Sequence, residues 1–142
     1  MWGIIIAVLS GALMSVQGVF NTEVTKQTSI WVSAAFVQFT ALLVCLAAWW
    51  LTDKSSFFGL AKVTPWYVLL GGTLGALITV TVIKSMGSLG PAKAAMLIVI
   101  AQLIVAYGIE LLGLFGVEKQ PLEWRKVIGM LIGIVGIVIF KN

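Results

Sequence analysis

The chain is predicted to be an all-α integral membrane protein with five transmembrane helices, and three observations predict it. The 142 residues are 61% hydrophobic and only 10% charged, with a mean hydropathy of +1.12. That balance is too apolar for a water-soluble domain. Apolar runs recur at about the ~20 residues that span roughly 30 Å of hydrocarbon. The three prolines, Pro65, Pro91 and Pro121, each stand where such a run is about to begin.

The first run, 3–20, has no basic segment before it and exceeds a usual signal-peptide core, so it reads as a retained span. The second covers 30–51. The third, 66–86, follows Thr64-Pro65, read as the cap and first residue of its helix. Gly90-Pro91 starts the fourth, 92–114. The fifth is short unless Leu122 and Trp124 extend it, which gives 124–140. No proline falls inside a run, so nothing signals a broken helix of the kind many ion-coupled transporters use. Loops of about a dozen residues at most leave no room for a soluble domain, and 1–142 is read as one membrane domain.

Charge fixes orientation through the excess of Lys and Arg on one side of the short loops. Here the sides nearly tie. Side A, with the N-terminus, carries Lys54, Lys62, Lys119, Arg125 and Lys126; side B carries Lys26, Lys84, Lys93 and Lys141. The odd span number places the termini on opposite faces. A tie admits a chain that inserts both ways and pairs with its own inverted copy, the two-fold relation on which many transporters build alternating access. It also admits a chance distribution of few charges.

Several chemistries are excluded or left without a carrier. There is no phosphate-cradling Gly-rich loop, no metal cluster and no acid–base pair outside the membrane, so neither an enzyme nor a cofactor or metal site is expected. There is no histidine, hence no imidazole relay. The pI near 9.5 arises from lysines at bilayer edges, which suit anionic headgroups rather than nucleic acid. Lys84 and Lys93 are expected to snorkel to the side B headgroups, and Trp31, Trp49, Trp50, Trp66 and Trp124 to form interfacial belts. The lone Cys45 is expected as a buried small hydrophobe.

Polar residues inside the spans are the candidate site, because an uncompensated polar group in hydrocarbon is costly. Gln17 and Asn21 are four apart and share a face of the first helix. Gln38 and Gln102 fall near the midpoints of the second and fourth spans. These amides suit a small polar solute held by hydrogen bonds, or else they bond across to neighbouring helices as packing glue; for Gln38 the glue reading is favoured. Glu110 is the acidic residue inside an apolar run, about 80° round its helix from Gln102. A carboxyl group there suits binding a proton or a cation; so near the side A end, it equally suits an interfacial carboxylate in contact with water. Tyr107, one turn earlier, offers an aromatic wall and a hydroxyl, or a place in the interfacial belt. Gly71 with Gly75, and Gly129, Gly133 and Gly136, each keep to one helix face and suit close helix packing or a dimer contact.

The segment Gly90-Pro91-Ala92-Lys93-Ala94-Ala95-Met96-Leu97, then Gln102-Leu103, Gly113-Leu114-Phe115-Gly116, Pro121-Leu122 and the glycine-spaced last span, resembles the end of a drug/metabolite transporter repeat. With Gln17-Gly18-Val19-Phe20-Asn21 near the start, the whole chain resembles the small YdcZ-type family of that superfamily. The resemblance implies a five-helix bundle that pairs as an antiparallel homodimer, or with a close homologue, and is equivalent to half of a ten-helix transporter. It supports Gln17 and Gln102 as substrate-pathway residues. It does not carry over the coupling glutamate of the four-helix multidrug relatives, whose place deep in the first helix is taken here by Gln17; Glu23 at the helix end does not substitute. The reading is a secondary transporter of a small organic metabolite or cation, proton-coupled, in a bacterial inner membrane. A passive channel and a non-transporting accessory subunit are the alternatives.

Overall fold

A computed structural model describes the backbone of residues 1–141 and the side chains of residues 1–140. Lys141, counted above on side B, has its side chain outside the described set. Five α-helices follow one another: α1 (Trp2–Gln27), α2 (Ile30–Thr52), α3 (Gly71–Leu89), α4 (Pro91–Leu112) and α5 (Trp124–Lys141). There is no strand among the described residues. Four helical stretches, Trp2–Gln27, Ile30–Thr52, Trp66–Leu89 and Pro91–Leu112, are long and apolar enough to cross a membrane. The α5 helix, 18 residues long, carries Arg125, Lys126 and Lys141 near its ends.

The chain forms two compact units, Met1–Gly87 and the remainder from Ser88 on. In the first, α1 and α2 form an antiparallel pair turned at Thr28-Ser29. Ser29 caps α2, its side chain accepting the Val32 N–H at 3.2 Å. The buried Ser33 hydroxyl donates to the Asn21 carbonyl at 2.9 Å, so a polar side chain inside the bundle spends its proton on backbone. The third helix closes on this pair through Gly18. A Cβ at Gly18 would lie 2.6 Å from both Sδ and Cε of Met86 and 3.3 Å from Cγ1 of Val82. Met86, Ile83 and Val80 are among the few buried apolar side chains of this unit.

The second unit is a helical hairpin of α4 and α5. Gly90 caps α4 at φ +83°, and Pro91 occupies the first turn, as the sequence led one to expect. Gly113, in the left-handed conformation (φ 64°, ψ 41°), ends the helix, and its N–H bonds to the Ile109 carbonyl. The short connection Leu114–Gly116 then turns the chain back. Across the hairpin, Gly133 lets α5 approach Ile100, whose Cδ1 would sit 3.4 Å from an added Cβ.

Two expectations are corrected. Pro65 does not open an α-helix: it precedes a 3-10 turn over Trp66–Leu70, and α3 starts only at Gly71. Such turns are common at helix starts. Cys45 is exposed on α2 rather than buried, since its side of the helix faces outward from the unit. Helix bounds also differ at the ends. The first helix runs to Gln27, past the expected end at Phe20, with a Glu23–Lys26 ion pair and Thr22 and Thr25 hydroxyls bonded back to carbonyls four residues earlier.

Candidate functional site

The α4–α5 hairpin brings the Glu110 carboxylate beside a lysine and a tyrosine. Glu110 stands near the end of α4, and Lys126 stands in the first turn of α5. Their charged groups lie 3.6 Å apart, with 42% of each side chain exposed. The Lys126 ammonium is shared: Glu123, three residues earlier, holds it at 3.2 Å. It also lies 5.5 Å from the centre of the Tyr107 ring, a range in which an aromatic face attracts a cation. Two carboxylates thus share one ammonium.

Tyr107 is the fixed wall of this site. It is 6% exposed, and its hydroxyl accepts the Glu123 N–H at 2.8 Å. Glu123 in turn accepts, through its carbonyl, the N–H groups of Lys126 and Val127 that open α5. The tyrosine therefore anchors the start of α5, a role distinct from an interfacial belt. One turn further along α4, the Glu110 carbonyl accepts the Gln120 N–H at 2.9 Å, which ties the connecting segment to the same end of the helix. Leu103, Ala106, Gly129 and Met130 complete an open crevice of about 520 Å³ around Tyr107, Glu110 and Lys126. The crevice combines a charged end with apolar walls.

The remaining sequence candidates are placed as follows. Gln38 donates its amide N–H to Thr79 Oγ1 at 3.1 Å, and Thr79 donates to the Gly75 carbonyl at 2.9 Å. This joins α2 to α3 as glue, and Gly75, 3.8 Å from the Gln38 amide by its would-be Cβ, leaves the room for it. Gln17 and Asn21 share an open groove of about 480 Å³ on the first unit with Ser10, Met14 and Phe20. Gln17 and Gln102 are both exposed on their units. Of the glycines, Gly75 and Gly133 face a neighbouring helix, whereas Gly71, Gly129 and Gly136 have open space where a Cβ would stand. A further cavity of about 320 Å³ lies at the other end of the hairpin, lined by Lys93, Met96, Leu97, Ile137 and Phe140 with Ser88 and Leu89; it holds no carboxylate.

Two residues escaped the sequence reading. Lys126 was counted only as a loop charge, although Glu110 and Lys126 lie equally far from Glu118, and residues equidistant from the turn of an antiparallel hairpin meet. Gly18 was seen only as part of a short motif, although its neighbours Val82 and Met86 make it the tightest glycine contact among the described residues. Nothing in local spacing identifies the partner across the bundle.

Four helical stretches long and apolar enough to cross a bilayer define a multi-pass membrane protein. The chain belongs to the YdcZ family, described as "putative inner membrane exporter, YdcZ", whose sequence profile matches residues 2–139. With that family description and four apolar helical stretches long enough to span, this is a multi-pass inner membrane protein. No curated protein and no solved structure matches the chain.

Proposed function

We propose that the chain is a secondary transporter that exports a small organic cation or metabolite in exchange for protons, with Glu110 as the group that binds each in turn. The single observation that carries this reading is the half-exposed Glu110 carboxylate in the crevice beside the Tyr107 ring. A carboxylate within a span is costly unless paired or used, and here its one cationic partner is shared with Glu123. Protonation of Glu110 would discharge a bound cation, and deprotonation on the other side would restore the site.

The working unit is an inverted pair of copies with five spans each. The near-even distribution of Lys and Arg supports both orientations. The length of α5, about 27 Å at 1.5 Å per residue, supports a fifth span whose Arg125 reaches headgroups. One copy offers few polar groups in its spans. Two inverted copies double them, place a Glu110 crevice toward each face, and offer Gln17, Asn21 and Gln102 as linings of a pathway between. Open space at Gly71, Gly129 and Gly136 is where a second backbone could approach.

A panel of small amines, quaternary ammonium compounds and neutral metabolites, each assayed in proteoliposomes with and without a pH gradient, tests the reading. Uphill accumulation driven by the gradient is the expected result. Fast downhill ion flux with no response to the gradient would indicate a channel, and no flux with any solute an accessory subunit.

A further inference from the structure

We infer that Lys126 is a tethered stand-in for the transported cation: its ammonium holds Glu110 in the empty site and moves fully onto Glu123 when an incoming ammonium takes its place. The inference rests on Glu110 being the cation site. It adds a residue that sets the affinity and head-group specificity of that site.

Three features of the cluster lead to it. The Lys126 ammonium lies where a bound monocation would lie, within 3.6 Å of the Glu110 carboxylate and 5.5 Å from the Tyr107 ring centre. It has a second carboxylate within reach, Glu123 at 3.2 Å on the same helix face, so it can leave Glu110 without losing an ion pair. With two carboxylates and one ammonium, the cluster has a place for one further positive charge, and the crevice beside it has room for the body of a small molecule.

The geometry also defines the exchange. Proton, Lys126 and substrate compete for one carboxylate, and the count of positive charges against Glu110 stays at one throughout. A substrate must therefore outcompete a primary ammonium that is already tethered beside the site. The tether works as a filter: weakly bound cations fail to displace Lys126, and small amines whose head resembles the lysine ammonium displace it at the cost of their own desolvation. Arg125, next in sequence, takes no part in these two ion pairs and is not needed for this exchange.

The test uses n-butylammonium, the chemical analogue of the lysine side chain, titrated calorimetrically into the full chain in lipid nanodiscs at low ionic strength. Lys126→Gln is expected to bind it roughly twofold to fivefold tighter than the unmodified chain, as expected for removing a partly exposed competing ion pair. Lys126→Arg, which keeps the charge, is expected to bind as the unmodified chain does. Glu123→Gln is expected to weaken binding by roughly twofold, because Lys126 then has only Glu110, and to have no effect once Lys126 is Gln. That dependence on the background is what a merely structural Glu123 would not show. Unchanged or weaker binding by Lys126→Gln, with Glu110→Gln still losing about tenfold or more, overturns the stand-in role and leaves the cation site. Full binding by Glu110→Gln overturns the cation site and this inference together. A far-ultraviolet melting curve on each variant identifies any that does not fold; Lys126→Met then replaces Lys126→Gln, Glu110→Asn replaces Glu110→Gln, and Glu123→Ala replaces Glu123→Gln.

Discussion

Tyr107→Phe removes one oxygen from the wall of the crevice and leaves its ring in place, so its effect isolates the anchor on α5. The hydroxyl accepts the Glu123 N–H at 2.8 Å and lies 3.4 Å from the Glu123 carbonyl, too long for the second contact to add much. One net hydrogen bond is worth about 0.5–1.5 kcal/mol. Glu123 is exposed at the helix start, so water or a headgroup can partly replace the lost partner, and a cost of about 1 kcal/mol is expected. That is roughly a fivefold shift in the local opening of the first turn of α5. Amide exchange in nanodiscs reads it directly at Lys126 and Val127, whose N–H groups bond to the Glu123 carbonyl, with α1 as an internal control. Exchange about fivefold faster in that turn, and unchanged in α1, is expected. Equal rates in both chains would show that Tyr107 does not anchor α5 and would remove the fixed wall from the site.

Gly18→Leu should destabilise the first unit by about 2–3 kcal/mol, since Val82 and Met86 fill the space its side chain needs; Gly18→Ala should be near neutral, because the flexible end of Met86 can yield and alanine recovers helix propensity. Thermal unfolding of both in detergent checks this, and a leucine variant as stable as the parent would refute the close α1–α3 approach. Lysines placed at Gly59 and Ala61 on side A should lock the chain in one orientation. Transport should then fail for the locked chain and return when a copy locked the opposite way is co-expressed; a locked chain that transports by itself would refute the inverted pair.

What the sequence carried and what it did not can be traced to particular residues. Hydropathy located four stretches long and apolar enough to cross a membrane because each must satisfy its own backbone in lipid, and Gly90-Pro91 marked the start of α4 because proline loses nothing in a first turn. The same logic misled at Thr64-Pro65, where the chain takes a 3-10 turn before α3, since proline marks a change of conformation without naming the next one. Glu110 stands out in the sequence by its place in an apolar run. Its partner does not, because Lys126 comes close only through the turn at Gly113, and the pairing is a property of the hairpin. Gln38 illustrates the converse: the sequence favours glue for this mid-span amide but does not name its partner, which is Thr79 on α3. Exposure carries a further lesson. Cys45 is apolar in kind and faces outward, because in a bilayer the outer surface is as apolar as the core.

The claim that Glu110 couples a solute to protons is met most directly by pH-gradient-driven accumulation in vesicles containing either the parent chain or Glu110→Gln. The parent is expected to concentrate the solute against its gradient. The variant, which keeps the crevice and its walls but carries no titratable group at that position, is expected to show no response to the pH difference. A Glu110→Gln chain that still concentrates solute when the gradient is applied would contradict the account.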